Sequence, residues 1–132
     1  MLTIKPIESK NEQMEILSLC GIPYQEDHFA YKAYEGDSLL AAAQFDILNE
    51  GAVIDAMRQV IGTPEDFEAM FILGRAVLNF LDLCGVVTAV YLTTTDEERR
   101  FAKLLGFREE EDGTLRITLT GLFDAHCARH SS

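Results

Sequence analysis

Between residues 63 and 83 the chain reads TPEDFEAMFILGRAVLNFLDL, a segment that opens on turn and cap residues and then becomes apolar nearly all round. Phe67, Met70, Phe71, Ile72, Leu73, Val77, Leu78, Phe80 and Leu81 leave a helix over this segment no broad polar face, so other elements must cover it. Thr63-Pro64-Glu65-Asp66 predicts where it starts. Threonine can accept a bond from an orphan amide, proline is preformed at the first helical position, and carboxylates suit the positive end of the helix. The expected helix begins at Pro64, is capped by Thr63, runs to about Leu83 and stops at Cys84-Gly85, with Phe71 and Leu78 in the core.

The rest of the chain supplies a sheet to cover that helix. Leu2 to Ile7 reads as an edge strand, since Pro6 removes a ladder donor. Ser9 with Glu12 three residues later marks a second helix, with Met14, Ile16, Leu17 and Leu19 as its apolar face and Gly21 and Pro23 as its end. Three strands are expected at Phe29 to Glu35, Leu39 to Leu48 and Ala52 to Val60, joined at Gly36-Asp37 and Asn49-Glu50-Gly51 as an antiparallel meander. In the middle one, Leu39, Ala41, Ala43, Phe45 and Ile47 share a face, and Gln44 and Asp46 lie on the other. Val86 to Thr93 is β-branched and nearly unbroken, as in a central strand covered on both faces. Asp96 to Leu105, closed by Gly106, is a third helix, and strands at about Phe107 to Glu111 and Leu115 to Thr120 flank an Asp112-Gly113 turn.

Charge narrows the partners. Acidic side chains outnumber basic ones by 22 to 11, and a net charge of -11 with no basic cluster excludes nucleic acid and anionic membrane as partners. The opening MLTIKPIESK has neither a signal-peptide core nor an Arg-rich amphipathic pattern, and no apolar run approaches the roughly 18 to 20 residues of a membrane span, so a cytoplasmic location is expected. Cys20, Cys84 and Cys127 are odd in number and far apart, which predicts reduced thiols. With 132 residues and no linker or repeat, residues 1–132 are expected to form one α/β domain.

The order strand, helix, three strands, helix, strand, helix, two strands, with the opening TIKP and the stretch FAKLLGFREEE, resembles the fold of the GCN5-related N-acetyltransferases (GNAT) over nearly the whole chain. That resemblance implies a mixed central sheet with helices on both faces, splayed between its fourth and fifth strands to admit acyl-coenzyme A. It also implies a backbone loop of pattern Q/R-x-x-G-x-G/A around the pyrophosphate, where converging amides meet an anion. The implied function is acetyl transfer from acetyl-coenzyme A to a small-molecule amine. In this chain that activity would require Asp55 or water as base, the splayed edge at Met57 to Gln59 for the pantetheine arm, and Arg58, Gly74 and Arg75 near the phosphates.

The chain departs from the family's motif. Gln59-x-x-Gly62 begins it, but Pro64 falls at the second glycine; aligning on Gly74 instead puts Ile72 at the first glycine and Ala69 at the Gln/Arg position. Ala102 stands where members often carry a tyrosine, and Thr95 where an asparagine is common. Glu65, Asp66 and Glu68 would repel a pyrophosphate, so weak or absent acetyl-coenzyme A binding is expected. Arg58 and Arg75 could instead pair with acids or lie along the helix, and Arg99, Arg100 and Lys103, close to where the family holds the nucleotide, could pair with Glu97 or Glu98. His126, Cys127 and His130, with His28, are too few and too scattered for a preformed zinc site, and no metal is expected. Leu119, Leu122 and Phe123 read as a clasp on the sheet. Two other functions suit the same pattern: an inactive module that binds another ligand or a protein segment, and a homodimeric structural domain.

Overall fold

The computed structural model describes residues 1–120. The elements are β1 (Leu2–Pro6), α1 (Lys10–Leu19), β2 (Phe29–Glu35), β3 (Ser38–Leu48), β4 (Gly51–Gln59), α2 (Phe67–Leu83), β5 (Thr88–Tyr91), α3 (Asp96–Leu105), β6 (Arg108–Glu109) and β7 (Leu115–Thr118). Their order is the expected one. They form a sheet in the order β1-β2-β3-β4-β5-β7-β6. The first four strands are an antiparallel meander, β5 is parallel to β4 because α2 crosses between them, and β7 is antiparallel to β5. Gly51 allows the approach of β4 to β5: a Cβ there would stand 2.5 Å from the Thr88 carbonyl oxygen.

Helices cover both faces. Phe45, Ile54, Leu73, Val77, Leu78 and Leu81 are fully buried between the sheet and α2. Each such side chain contributes roughly 1.5 to 3 kcal/mol relative to exposure. On the opposite face Ile16, Leu17 and Cys20 of the α1 region pack on Ala30, Ala42 and Ala56. Small residues on the sheet let α1 lie close.

Four expectations need correction. Helix α2 starts at Phe67 with Asp66 as its cap, its carboxylate accepting from the Ala69 amide at 3.0 Å. Thr63 does not cap, because its hydroxyl donates to the Val60 carbonyl at 2.7 Å and closes a turn. Gln59 holds the following loop, donating to the Pro64 carbonyl and accepting from the Asp66 amide, both at 2.8 Å. Second, α2 is one-sided: Phe67, Ile72 and Leu83 are exposed and Phe71 is half-buried, so Leu78 is core and Phe71 is not fully so. Third, α1 buries Gln13, Ile16 and Leu17 and exposes Met14 and Leu19. Fourth, β5 is four residues long with Val87 and Leu92 exposed beyond its ends.

Two bulges break the strand alternation. Ala33 pairs with Ala41 but Tyr34 with Leu39, which turns Leu39 to the α1 face and Leu40 to the α2 face. Gln44 pairs with Ala56 but Phe45 with Ile54, leaving Asp55 as the extra residue of β4. A bulge bends the strand and re-aims its side chains. Here Ile54 faces α2 while Ala56, two residues on, faces α1.

Candidate functional site

The bulge sits where β4 and β5 part. Their pairing runs from Ala52 opposite Ala89 to Ile54 opposite Tyr91, and its last bond is Leu92 N to Ile54 O at 3.0 Å. Residues 55–59 then continue against β3 alone, with one edge open, while the chain after β5 turns away into α3. A cleft of about 620 Å³ opens there between β4, the start of α2 and α3. Met57, Met70, Tyr91 and Phe101 make its apolar wall; Glu65, Glu97 and Arg100 stand around it.

Tyr91 is 2% exposed, and its hydroxyl has no hydrogen-bond partner among the described residues. Burial first, then the Glu98 charge, pushes its ionisation well above the usual phenol range; the Met57 backbone and Arg58 act the other way without completing a bond. The phenol is therefore a proton-bearing group at neutral pH. Leaving a buried hydroxyl unpaired costs about 1 to 3 kcal/mol.

Arg58 is bonded on two sides within the protein. Its Nε donates to Glu98 Oε2 at 3.1 Å and its Nη1 to the Gly21 carbonyl at 2.6 Å, tying β4 to the starts of α3 and of the loop after α1. Glu98 also accepts from the Thr94 amide and hydroxyl, both at 2.8 Å, and completes a capping box with Thr95. Burial alone would raise the Glu98 carboxyl, but the Thr94 bonds and Arg58 outweigh it and hold the group below the usual range. Thr95 thus serves as a helix cap.

Asp55 lies on the α1 face of the same point, two residues before Met57 on β4. Its Oδ2 accepts from Gln44 Nε2 at 2.9 Å and lies 2.5 Å from His28 Nδ1. Gln44 is fully buried on an otherwise apolar stretch, and Gln13 of α1 donates to it at 3.2 Å. The alternation of the strand places Gln44 on the face opposite Phe45, but nothing in the spacing ties it to His28 or to Gln13.

Of the residues singled out from sequence, Met57, Arg58 and Gln59 line the cleft and Asp55 adjoins it. Gly74 and Arg75 do not. Gly74 is buried within α2, where a Cβ would stand 2.7 Å from Leu105 Cδ1, so its place is a helix contact rather than a phosphate cradle. Arg99 and Lys103 both pair with Glu109, which leaves Arg100 as the guanidinium of α3 that lines the cleft. The inner cleft offers the free edge of residues 55–59, with buried Tyr91 among its lining residues. The cleft lining holds two arginines and three glutamates; Arg58 is bonded to Glu98, and Arg100 stands with Glu65 and Glu97. Among the described residues no three His, Cys, Asp or Glu side chains are grouped to hold a metal, and no helix is long and apolar enough to cross a membrane. His126, Cys127, His130, Leu122 and Phe123 lie outside the described residues.

No protein-family profile and no curated protein sequence matches the chain. Solved structures do. The ribosomal-protein-S18-alanine N-acetyltransferase of Escherichia coli superposes with a TM-score of 0.70 at 15% identity, over 90% of this chain and 94% of that one. A Bacillus subtilis acetyltransferase in complex with CoA gives 0.69 at 17% identity, covering 88% and 96%. A mutant form of the spermidine/spermine N-acetyltransferase of Vibrio cholerae gives 0.74 at 11% identity, covering 95% and 99%. At these identities the likeness is one of fold.

Proposed function

We propose, for a chain that has the fold of the GCN5-related N-acetyltransferases, that it moves an acetyl group from acetyl-coenzyme A to an amine through the β4/β5 cleft. The observation that carries this reading is the buried, unpartnered Tyr91 hydroxyl beside the open edge of β4. Bound there, acetyl-coenzyme A would supply an activated thioester carbonyl. The edge of Met57 to Gln59 would bind its pantetheine amides, and Tyr91 would donate a hydrogen bond to the thioester or to the departing sulfur. Arg100 is the side chain that would meet the phosphates. Asp55, the bulge residue at the parting of the strands, would help to handle the proton that leaves the amine. Glu65 and Glu97 oppose the polyanion, so the affinity is low. One cytoplasmic domain acting on a small amine, with no nucleic acid or membrane partner, completes the reading; a structural protein–protein role gains no support from the cleft.

Thermal denaturation with coenzyme A tests it. A ligand at its own dissociation constant adds about 0.4 kcal/mol, and at 100-fold excess about 2.7 kcal/mol. We expect a shift that appears only at millimolar coenzyme, grows with acetyl-coenzyme A, and is lost in Tyr91→Phe and Arg100→Glu. Acetylation of an amine panel, read by thiol release, completes the test. No shift and no thiol release would sink the reading; a shift without thiol release would favour an inactive binding module, and a dimeric mass insensitive to ligand a structural domain.

A further inference from the structure

We infer that His28 is the proton acceptor for the attacking amine and that Asp55 is the residue that positions it, an inference that rests on the acetyl-transfer reading above. His28 stands just before β2, and both its main chain and its ring are held. Its carbonyl accepts from Lys10 Nζ at 2.6 Å and from Gln13 Nε2 at 3.2 Å, and its Nδ1 meets Asp55 Oδ2 at 2.5 Å. The same Asp55 oxygen is fixed by Gln44, whose amide also donates to the Pro23 carbonyl at 2.8 Å and accepts from the Gln25 amide at 2.9 Å. Burying Gln13 and Gln44, 1% and 0% exposed, against an apolar sheet is costly unless every polar atom is satisfied. Their bonds run to the His28 carbonyl, the 23–25 loop and Asp55, so the two glutamines build a seat for one imidazole and one carboxylate.

That seat defines a tautomer. A carboxylate at Nδ1 accepts the hydrogen bond of an Nδ1–H, which leaves the Nε2 lone pair free. Among the described residues Nε2 has no hydrogen bond, the Asp46 carboxylate stands 3.7 Å from it, and the His28 side chain is 22% exposed. The charged groups that face the ring are Asp55 and Asp46, with Lys10 at its carbonyl. Asp55 is the bulge residue at the parting of β4 and β5, so the imidazole lies on the α1 face of the gap whose other face opens into the cleft. An amine entering from the α1 face meets Nε2 as it meets the thioester. Its nitrogen lone pair forms the C–N bond, the C–S bond breaks with its electrons leaving on sulfur, and the surplus proton on nitrogen passes to Nε2. The Asp55 carboxylate stabilises the imidazolium, which then returns its proton to the thiolate or to water.

The test uses the full chain. Nitrogen-15 NMR of the imidazoles, with His28 assigned by the signal lost in His28→Gln, should show the Nδ1–H tautomer in the wild type and its loss in Asp55→Ala. His28→Gln should lower kcat by about 10² to 10⁴-fold, leave the KM for acetyl-coenzyme A unchanged and abolish the rise of kcat/KM with pH. Free imidazole should restore part of the rate in His28→Ala. An Nε2–H tautomer in the wild type, or a kcat that changes less than about threefold in His28→Gln while Asp55→Ala is inactive, would overturn the assignment and return the base to Asp55. If the wild type acetylates no amine at all, the acetyl-transfer reading falls and the catalytic role falls with it, whatever the tautomer.

Discussion

A methyl group added at Gly74 would press on both terminal carbons of Leu105, at 2.7 and 2.8 Å, and Leu105 is itself buried. Overpacking of this kind costs about 1 to 3 kcal/mol, against a helix-propensity gain of about 1. Gly74→Ala should therefore lower stability in urea slightly and leave coenzyme A affinity unchanged, the opposite of what a phosphate-cradling glycine would do. Leu78→Ala should cost about 2 to 5 kcal/mol through its cavity, and half-buried Phe71→Ala clearly less. Tyr91→Phe separates stability from function. Deleting an orphan hydroxyl should leave stability at neutral pH equal or higher while ligand affinity drops. Because the folded state raises the Tyr91 ionisation, its contribution is whole below the unfolded phenol pKa near 10 and is lost as pH rises beyond it, so wild type but not Tyr91→Phe should show that alkaline loss in urea titrations. Burial pushes the Cys20 thiol up to about 11, whereas Cys84 is exposed; a thiol reagent should modify Cys84 in the native protein and Cys20 only on unfolding.

At the scale of elements, the start of α2 decides how phosphate could be met. Asp66 caps it and Gln59 holds the loop ahead, so the first helical turn carries a carboxylate where the resembled family offers bare amides. Asp66→Ala should cost about 1 kcal/mol and Thr63→Ala less, measured by denaturant unfolding, since only Asp66 bonds a helix amide. Helix α3 depends on Glu98 for its capping box and for Arg58 together. The folded state lowers the Glu98 ionisation, so its contribution is present above the unfolded carboxyl pKa near 4.3 and disappears as pH falls through the folded value. Glu98→Gln should flatten acid unfolding in that window. Arg58→Ala should loosen the joint between β4, α3 and the loop after α1, and so reduce stability more than coenzyme affinity.

For the molecule as a whole, the net charge of -11 acts on a polyanionic coenzyme over distances that one Arg100 cannot cover. At low salt the Debye length exceeds the cleft's dimensions, and at 0.1 M it shrinks to about 10 Å. Coenzyme A association should accordingly quicken as salt rises from low to moderate concentration, in stopped-flow measurements, where an electropositive cleft would show slowing. A fall in the association rate with salt would mean that the phosphates meet more positive charge than Arg100 supplies.

Local residue chemistry determined the element order, the bounds of β2 and α3, the cap at Ser9 and the alternation that buries Phe45, because capping, turn geometry and side-chain periodicity act within a few residues of chain. It also brought Asp55 and Met57 to Gln59 into view, through resemblance rather than spacing. What only the tertiary structure decided is which polar groups meet: Gln13, His28, Gln44 and Asp55 come from four separate segments, the Tyr91 hydroxyl is buried without a partner among the described residues, and Arg58 finds Glu98 forty residues away. The bulge at Asp55 belongs to the same class. A one-residue insertion in a pairing register leaves the sequence pattern of β4 unmarked, yet it turns the following side chains to the other face and places the carboxylate at the parting of the strands.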